Sequence, residues 1–351
     1  MTASIGQRER IAEKLPHELL QKLYLNSRVS IKQLEKELGI SSHTISKILQ
    51  ECENKYGLVY TLDINTSILG FSEPRIIAVK FEEKVPDIKL LKRVLSKDLF
   101  VQNAYLATGD FDLILHIIAT NRNEYNLWLY RFRMGFCHYK PRVKVSTIDY
   151  LVDGSLPLRG ALIKRSKEIN ASEKKLLLSL INDARRRVTD VSKDTKLSQM
   201  MVIYLMNKLV KKGIIRKFTT YIQTPEKRLF LFYAVTDIPN EDHHPKSLLK
   251  FLDKIIGEES STEVTNDYAV VLETSGQFDT MFFCNFKEGG ALSDRGPDFL
   301  KEAWASEFPV VEKCILTETI VGIWPFSKNG YIKWSMDWKT ERNAPIPFKI
   351  Y

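Results

Sequence analysis

Cysteine is scarce: four in 351 residues, at Cys52, Cys137, Cys284 and Cys314, far apart and with no CxxC pair. That spacing excludes a disulfide framework and a zinc site, and leaves the thiols as small buried hydrophobes. The sequence also lacks a phosphate-binding glycine loop, a catalytic triad and any His/Cys/Asp/Glu spacing suited to a metal. No enzyme, no metal and no cofactor are therefore expected. No uninterrupted apolar stretch approaches the roughly 20 residues that span a bilayer, so no membrane partner is expected. The start, "MTASIGQRERIAEKLPHELL", has no apolar core for a signal peptide, which leads to the expectation of a cytoplasmic protein. What remains is ordinary globular material, 44% apolar and 27% charged, long enough for two or more domains.

The net charge of +9 is not evenly spread. From Arg159 to Arg228 there are 18 Lys and Arg against 6 Asp and Glu, whereas the rest of the chain holds 34 against 37. One segment thus carries the whole basic excess. A charge run is commonly just a solvated surface, but concentration within a helix-turn-helix pattern points to nucleic acid.

The first 60 residues read as short helices. "HELLQKLYLNS" sets Leu19, Leu20, Leu23 and Tyr24 on one stripe. Ser30 can cap a helix with Ile31, Leu34 and Leu38 inward, and Gly39 suits the left-handed residue that ends it. Ser41 caps the next helix, whose buried face is Ile45, Ile48, Leu49 and Cys52. Two short helices around a glycine turn are the helix-turn-helix pattern. Gly57 and the alternating "LVYTLDI" predict a small β-wing. "RIIAVKF", "PDIKLLKRVL", "FVQNAYLA", "FDLILHIIA", "RNEYNLWLYRFRMGF" and "RVKVSTIDYLV" then give the order βαββαβ, the ferredoxin-like split unit.

After a polar, basic stretch the plan restarts. Ser41 falls on Ser198, Ile45 on Val202, Ile48 on Leu205 and Gly57 on Gly213. "ATGDFDLILHI" at Ala107–Ile117 is answered by "ETSGQFDTMFFC" at Glu273–Cys284. The expected fold is α+β, a winged helix-turn-helix plus a ferredoxin-like βαββαβ domain, repeated twice. The boundaries read as 1–60 and 61–153 for the first copy, a linker at 154–170, 171–222 and 223–323 for the second copy, and an aromatic tail at 324–351.

The phrases "LYLNSRVS", "LEKELGISSHTISKIL", the Gly57 turn and above all "TGDFDLILHI" resemble the leucine-responsive regulator/AsnC family of transcription factors. The resemblance covers roughly residues 15–152 and, more loosely, 171–322. It implies a DNA-binding regulator whose βαββαβ domains dimerise and bind an amino-acid effector. The tandem form departs from the usual single copy. It implies an intrachain pseudo-dimer, with a homodimer of the whole chain left open. Tandem copies of this architecture also resemble siroheme decarboxylases, which hold a tetrapyrrole. The histidine-containing signatures of those enzymes have no counterpart in "TLDINTSILGFSEPR" or "TTYIQTPEKRLF".

The second helix of a helix-turn-helix presents its first turns to base edges in the major groove. In copy one these positions are Ser42, His43, Thr44, Ser46, Lys47 and Gln50, all short or hydrogen-bonding. In copy two the matching face is apolar, with Met200, Met201, Ile203 and Tyr204. Around it lie Arg185, Arg186, Arg187, Lys208, Lys211, Lys212, Arg216 and Lys217, with Gln199 and Asn207 on the helix. Two readings stand for that copy: phosphate contact on double-stranded DNA with little base readout, or a purely structural repeat. The resemblance assigns effector contacts to the Gly-x-aromatic-Asp turns. In this chain they are Gly109, Asp110, Phe111 and Asp112, and again Gly276, Gln277, Phe278 and Asp279. A tight hairpin wants glycine regardless.

"FDLILHIIA" is apolar on both faces. Phe111, Leu113, Leu115 and Ile117 are expected on one side, Ile114 and Ile118 on the other. Two helices cover only one face of such a sheet. The other face should meet the second copy, tethered at an effective concentration around millimolar.

Overall fold

The computed structural model describes residues 18–56, 58–154, 158–222, 228–236, 267–287 and 310–322. Gly57, the helices expected from "HPKSLLKFLDKIIG" and "GPDFLKEAWASEF", and the tail 324–351 lie outside these residues. In chain order the first copy gives α1 (18–25), α2 (Ile31–Leu38), α3 (Ser42–Tyr56), β1 (Leu58–Ile64), β2 (Glu73–Phe81), α4 (Ile88–Leu95), β3 (Val101–Gly109), β4 (Leu113–Ala119), α5 (Arg122–Gly135) and β5 (Pro141–Gly154). After α6 (Gly160–Arg165) the second copy gives α7 (Ala171–Ile181), α8 (Val188–Thr195), α9 (Gln199–Lys211), β6 (Ile215–Ile222), β7 (Arg228–Thr236), β8 (Asp267–Gly276), β9 (Thr280–Lys287) and β10 (Val310–Val321). The described residues fall into two units. One joins residues up to Asn65 with Ile169–Ile222; the other joins Thr66–Glu168 with those from 228 to 322. Each unit therefore takes one half from each copy.

In the helical unit, local chemistry sets the helix ends. Ser30 Oγ accepts the Gln33 amide at 3.1 Å, which starts α2, and Gly39 at φ +67° ends it by bonding the Glu35 carbonyl. Ser41 and Ser198 cap α3 and α9 in the same way, accepting the amides of Thr44 and Met201 at 3.2 Å. Asn170 and Glu173 form a capping box at α7.

The expected β-wing is not a hairpin within one copy. β1 pairs antiparallel with β6, Thr61 opposite Thr219, so the strand after each helix-turn-helix joins the two copies. The reason lies in the ends each strand finds on its neighbour. The Ser27 amide donates to Phe218 O (2.8 Å) and the Ala184 amide to Tyr60 O (3.1 Å). Thr219 Oγ1 donates to Tyr24 O (2.8 Å) and Thr61 Oγ1 to Ile181 O (2.6 Å). These are the same two contacts made twice, with the copies exchanged. Arg28 lies over the Phe218 ring and Arg185 over the Tyr60 ring, completing the reciprocal set.

In the strand-rich unit, each copy contributes four strands in the order expected of a βαββαβ sheet, β5-β2-β4-β3 and β10-β7-β9-β8. The two sheets join at both edges, β5 with β8 and β10 with β3, and close an eight-stranded barrel. Closure removes the edges that an open sheet would expose. Outside, Leu113, Leu115 and Ile117 of β4 pack with Leu91, Tyr125 and Trp128 from α4 and α5. Inside, Ile76, Tyr105 and Ile114 from copy one pack with Phe232, Leu272 and Phe283 from copy two. The helix-free faces thus meet, burying Ile114; Ile118 is buried as well, outside this cluster. Phe111 belongs with this inner cluster, not with Leu113 as strand alternation predicts, because it precedes β4 in the turn.

The stretch expected as a free linker is partly structured. Leu162 and Ile163 of α6 are buried, and the Arg159 guanidinium donates to the carbonyls of Ser96, Asp98 and Val101 at 2.7–2.9 Å. Three backbone carbonyls at the end of α4 and the start of β3 hold this segment on the first copy.

The two glycine turns sit at the two seams. Gly109, at φ +134°, lies opposite Cys314, and a Cβ there would come within 2.8 Å of Lys313 O. Gly276, at φ +127°, lies opposite Ser146, and a Cβ there would come within 2.8 Å of Val145 O. Gly109→Ala and Gly276→Ala are each expected to lower stability by about 1–3 kcal/mol from backbone strain alone. Gly135→Ala, in open space at the end of α5, should be neutral or stabilising. Urea unfolding of the three variants checks this; equal midpoints would mean the seams do not need glycine.

Candidate nucleic-acid interface and effector turns

On α3 the buried stripe is Ile45, Leu49 and Cys52, and Ile48 is partly covered. The opposite face carries His43, Ser46, Lys47 and Gln50, all exposed, with Ser42 and Thr44 half-buried beside them. Ser42 Oγ donates to Glu35 at 2.5 Å, and Thr44 shares a hydrogen bond with Ser41, so these two are partly engaged in holding the helix start. Ser46 Oγ donates to the Ser42 carbonyl at 2.8 Å, so the free polar reach of the face is that of His43, Lys47 and Gln50.

On α9 the buried stripe is Val202, Leu205, Met206 and Leu209. The face matching that of α3 is exposed and apolar, formed by Met200, Met201, Ile203 and Tyr204. Gln199 and Asn207 are also exposed on this helix.

The basic residues expected at phosphates divide into two groups. Arg185 stacks on Tyr60 across the copies; Arg186 pairs with Asp194 at 2.5 Å; Lys208 pairs with Glu173 at 2.9 Å; Arg216 pairs with Asp63 at 2.8 Å; and Lys217 lies 3.7 Å from the Tyr24 ring centre. These side chains join the helices and the copies to one another. The hydrogen bond to Asp194 raises the Arg186 pKa, and the same pair lowers that of Asp194. Arg187, Lys211 and Lys212 are exposed. Sequence alone could not divide them, because the acidic partners sit 8 to 153 positions away.

The effector turns occupy matching places at the seams. The Asp110 amide donates to Lys313 O (2.9 Å) and the Gln277 amide to Val145 O (3.2 Å). Asp110 Oδ2 accepts the Lys313 amide at 2.8 Å, and the Phe278 amide donates to Ser146 Oγ at 3.0 Å. Phe111 and Phe278 are both buried and meet edge to face, with centroids 6.0 Å apart. Asp112 accepts Lys80 Nζ and the Phe81 amide, each at 2.8 Å, while Asp279 is half-buried and bonds the Thr274 amide through its carbonyl. So the backbone groups freed by the glycines bond the other copy. Lys144, next to Val145 of the Gly276 seam, pairs at 2.5 Å with Oε1 of Glu312, next to Lys313 of the Gly109 seam, and lies over the Phe278 ring. Glu312 Oε2 is buried with no protein partner among the described residues.

His116, on the inner face of β4, is buried and shares a 3.1 Å hydrogen bond between its Nδ1 and Asn103 Nδ2. Burial pushes its pKa down to about 3. His43 and His138 are exposed. Among the described residues no three His, Cys, Asp or Glu side chains gather as metal ligands, and no helix is long and apolar enough to cross a membrane.

No family model matches the chain. Over 116 residues, 32% of its length, it is 28% identical to an uncharacterised HTH-type transcriptional regulator of Pyrococcus abyssi, covering 77% of that protein. A Pyrococcus horikoshii protein described in the same words is also 28% identical over 116 residues, with 76% of it covered. Both relatives are HTH-type transcriptional regulators, in keeping with the kind of protein the sequence resembles. Along 89% of its length the chain also superposes on 93% of a siroheme decarboxylase, with a TM-score of 0.55 at 12% identity. At that identity the likeness establishes the fold. It overturns the expectation that the chain is not an enzyme, because the tandem architecture is one that an enzyme uses, and the fold gives no ground for excluding catalysis.

The His116 pKa, ordinarily 6.5, is depressed in the folded chain, so the ring stays neutral there. Stability from this burial is complete above pH 6.5 and is lost as pH falls from there toward 3. Between pH 7 and 4.5 the expected loss from this group is about 2–3 kcal/mol. His116→Asn should flatten that part of the profile. Denaturant midpoints across this range check it; parallel profiles would mean that the ring is protonated or solvated in the fold.

Proposed function

We propose that the chain is a DNA-binding transcriptional regulator built as a fused pseudo-dimer, in which α3 enters the major groove and reads bases. The observation that carries this reading is the exposed polar face of α3, placed opposite a buried apolar stripe at the start of the second helix of a helix-turn-helix. Lys47 suits guanine or phosphate, and Gln50 suits adenine. Arg187, Lys211 and Lys212, exposed on the second copy, supply phosphate contacts. The similarity of about a third of the chain to HTH-type regulators supports the same reading.

We also propose that an amino-acid effector binds at the Lys144–Glu312 pair, whose two residues adjoin the two glycine seams. Glu312 Oε2, buried beside Lys144, is an acceptor suited to an ammonium group, and Lys144 is a cation suited to a carboxylate. Asp110 and Gln277 differ between the turns, so the two seams are not equivalent as sites.

A second reading, a tetrapyrrole-processing enzyme, is favoured by the full-length likeness in fold to a siroheme decarboxylase. The exposed polar face of α3 favours the regulator reading over this one. Visible absorbance developing on titration with an iron tetrapyrrole would reverse that preference.

In anisotropy titrations on genomic fragments, binding should weaken steeply with salt. Removing Arg187, Lys211 or Lys212 singly should reduce the salt slope by about 1 for each phosphate that is no longer neutralised. Lys47→Ala and Gln50→Ala should each cost about 1–3 kcal/mol of preference for a specific site. Equal losses on random DNA would restrict these residues to the backbone, and salt-insensitive binding would sink the proposal. In a thermal-shift screen of the common amino acids, at least one should stabilise the chain, by roughly 2.7 kcal/mol at 100 times its Kd. Glu312→Gln should abolish that shift while leaving the unliganded chain folded. No stabilisation by any of them would leave the pair without an effector.

A further inference from the structure

The second recognition helix has an apolar outer face that DNA cannot use well. Met200, Met201, Ile203 and Tyr204 are 80%, 43%, 38% and 59% exposed. The matching residues of α3, His43, Thr44, Ser46 and Lys47, are polar. Burying the thioether and sec-butyl surface of Met200, Met201 and Ile203 against phosphates would strip the phosphates of hydration without returning hydrogen bonds. Single exposed hydrophobes are normal on a protein surface, but four on adjoining positions of one helix form a patch. Methionine and tyrosine are the side chains that adapt best to an apolar partner surface.

We propose that this face of α9 is a protein-docking surface whose occupant is an amphipathic, acidic segment of a partner protein. The charge around it fixes the sign of the partner. Helix α9, "QMMVIYLMNKLVK", contains no acidic residue, and Lys196, Lys211 and Lys212 are exposed at its two ends. Glu173 and Asp194 in the same copy are already paired with Lys208 and Arg186. A second copy presenting the same helix would bring only like charge to this rim, which disfavours self-association through it. An anionic lipid surface matches the charge but not the extent. The longer apolar stripe of α9 is turned into the core, leaving about one and a half turns to insert, where a membrane-lying helix uses its whole length. An acidic helix with an apolar face matches both the charge and the size. The pseudo-dimer would then hold two different readers, one helix for DNA and one for protein.

The test uses the full chain and a fluorescein-labelled peptide of leucine and glutamate, with leucines at helical spacing. Saturable binding in an anisotropy titration is expected, weakened at least about tenfold by Met200→Ser with Tyr204→Ser. Met200→Leu with Tyr204→Phe, which keeps the face apolar, should retain it. Both substituted positions are exposed, and an unchanged melting temperature shows that the fold is intact. Lys47→Ala should leave peptide binding unchanged, and the double serine variant should leave DNA binding unchanged, so this proposal and the DNA-reading proposal fail separately. Four results would overturn it: no binding of the acidic peptide; equal binding of the same peptide with lysine for glutamate; co-sedimentation with phosphatidylserine vesicles that the serine variant loses; or a dimer in sedimentation that the serine variant dissolves.

Discussion

The strand-rich unit depends on a backbone approach that only glycine permits, made twice. Strand β3 can lie beside β10, and β8 beside β5, because residues 109 and 276 carry no Cβ to meet the facing carbonyls of Lys313 and Val145. The following amides, Asp110 and Gln277, bond those same carbonyls. Around these two points the sheets close, and the apolar faces that neither copy could cover alone become one core. The Phe residues after each glycine turn inward and meet there. The duplicated Gly-x-Phe-Asp phrase is thus the two ends of one reciprocal contact.

The helical unit follows the same logic with different chemistry. Each strand that leaves a helix-turn-helix satisfies the carbonyls and amides at the end of the other copy's first helix, through a Thr hydroxyl and a main-chain bond. Arg28 and Arg185 cover the aromatic residues on those strands. Much of the second copy's basic excess is used in these joints and in pairs within the copy. Charge counted along a sequence therefore overstates the charge offered to a partner, since an arginine on a ring or beside an aspartate is partly neutralised or occupied.

Because the two copies are joined in one chain, symmetry is no longer imposed on their outer faces. A homodimer must present the same surface twice. Here α3 and α9 share their buried stripes and their serine caps, yet one outer face is polar and the other apolar. The seams differ likewise, with Cys314 facing one glycine and Ser146 the other. The full-length likeness to a siroheme decarboxylase fits this view of the tandem scaffold as a frame whose function is set by side chains on its faces.

Whatever depends on short-range order could be read directly from the amino acids. Helical stripes, serine caps, the Gly39 turn, the βαββαβ order of the first copy and the matching strand order of the second were legible, because each is written in residues a few positions apart. The two-sided apolar character of "FDLILHIIA" also foretold that the helix-free faces must meet. Which strand pairs with which emerged only in three dimensions. "LVYTLDI" looked like a wing because a β-strand shows its alternation but not its partner, and the partner, β6, begins more than 150 residues later. Separation along the chain also hid the pairing of Arg216 with Asp63, 153 positions apart, and the docking of Arg159 on three carbonyls 58 to 63 positions away. The inward turn of Phe111 escaped because periodicity holds only inside a strand. A hydrogen bond or ion pair between remote residues leaves no periodic trace, so its existence is decided by the closed barrel and the joined helices.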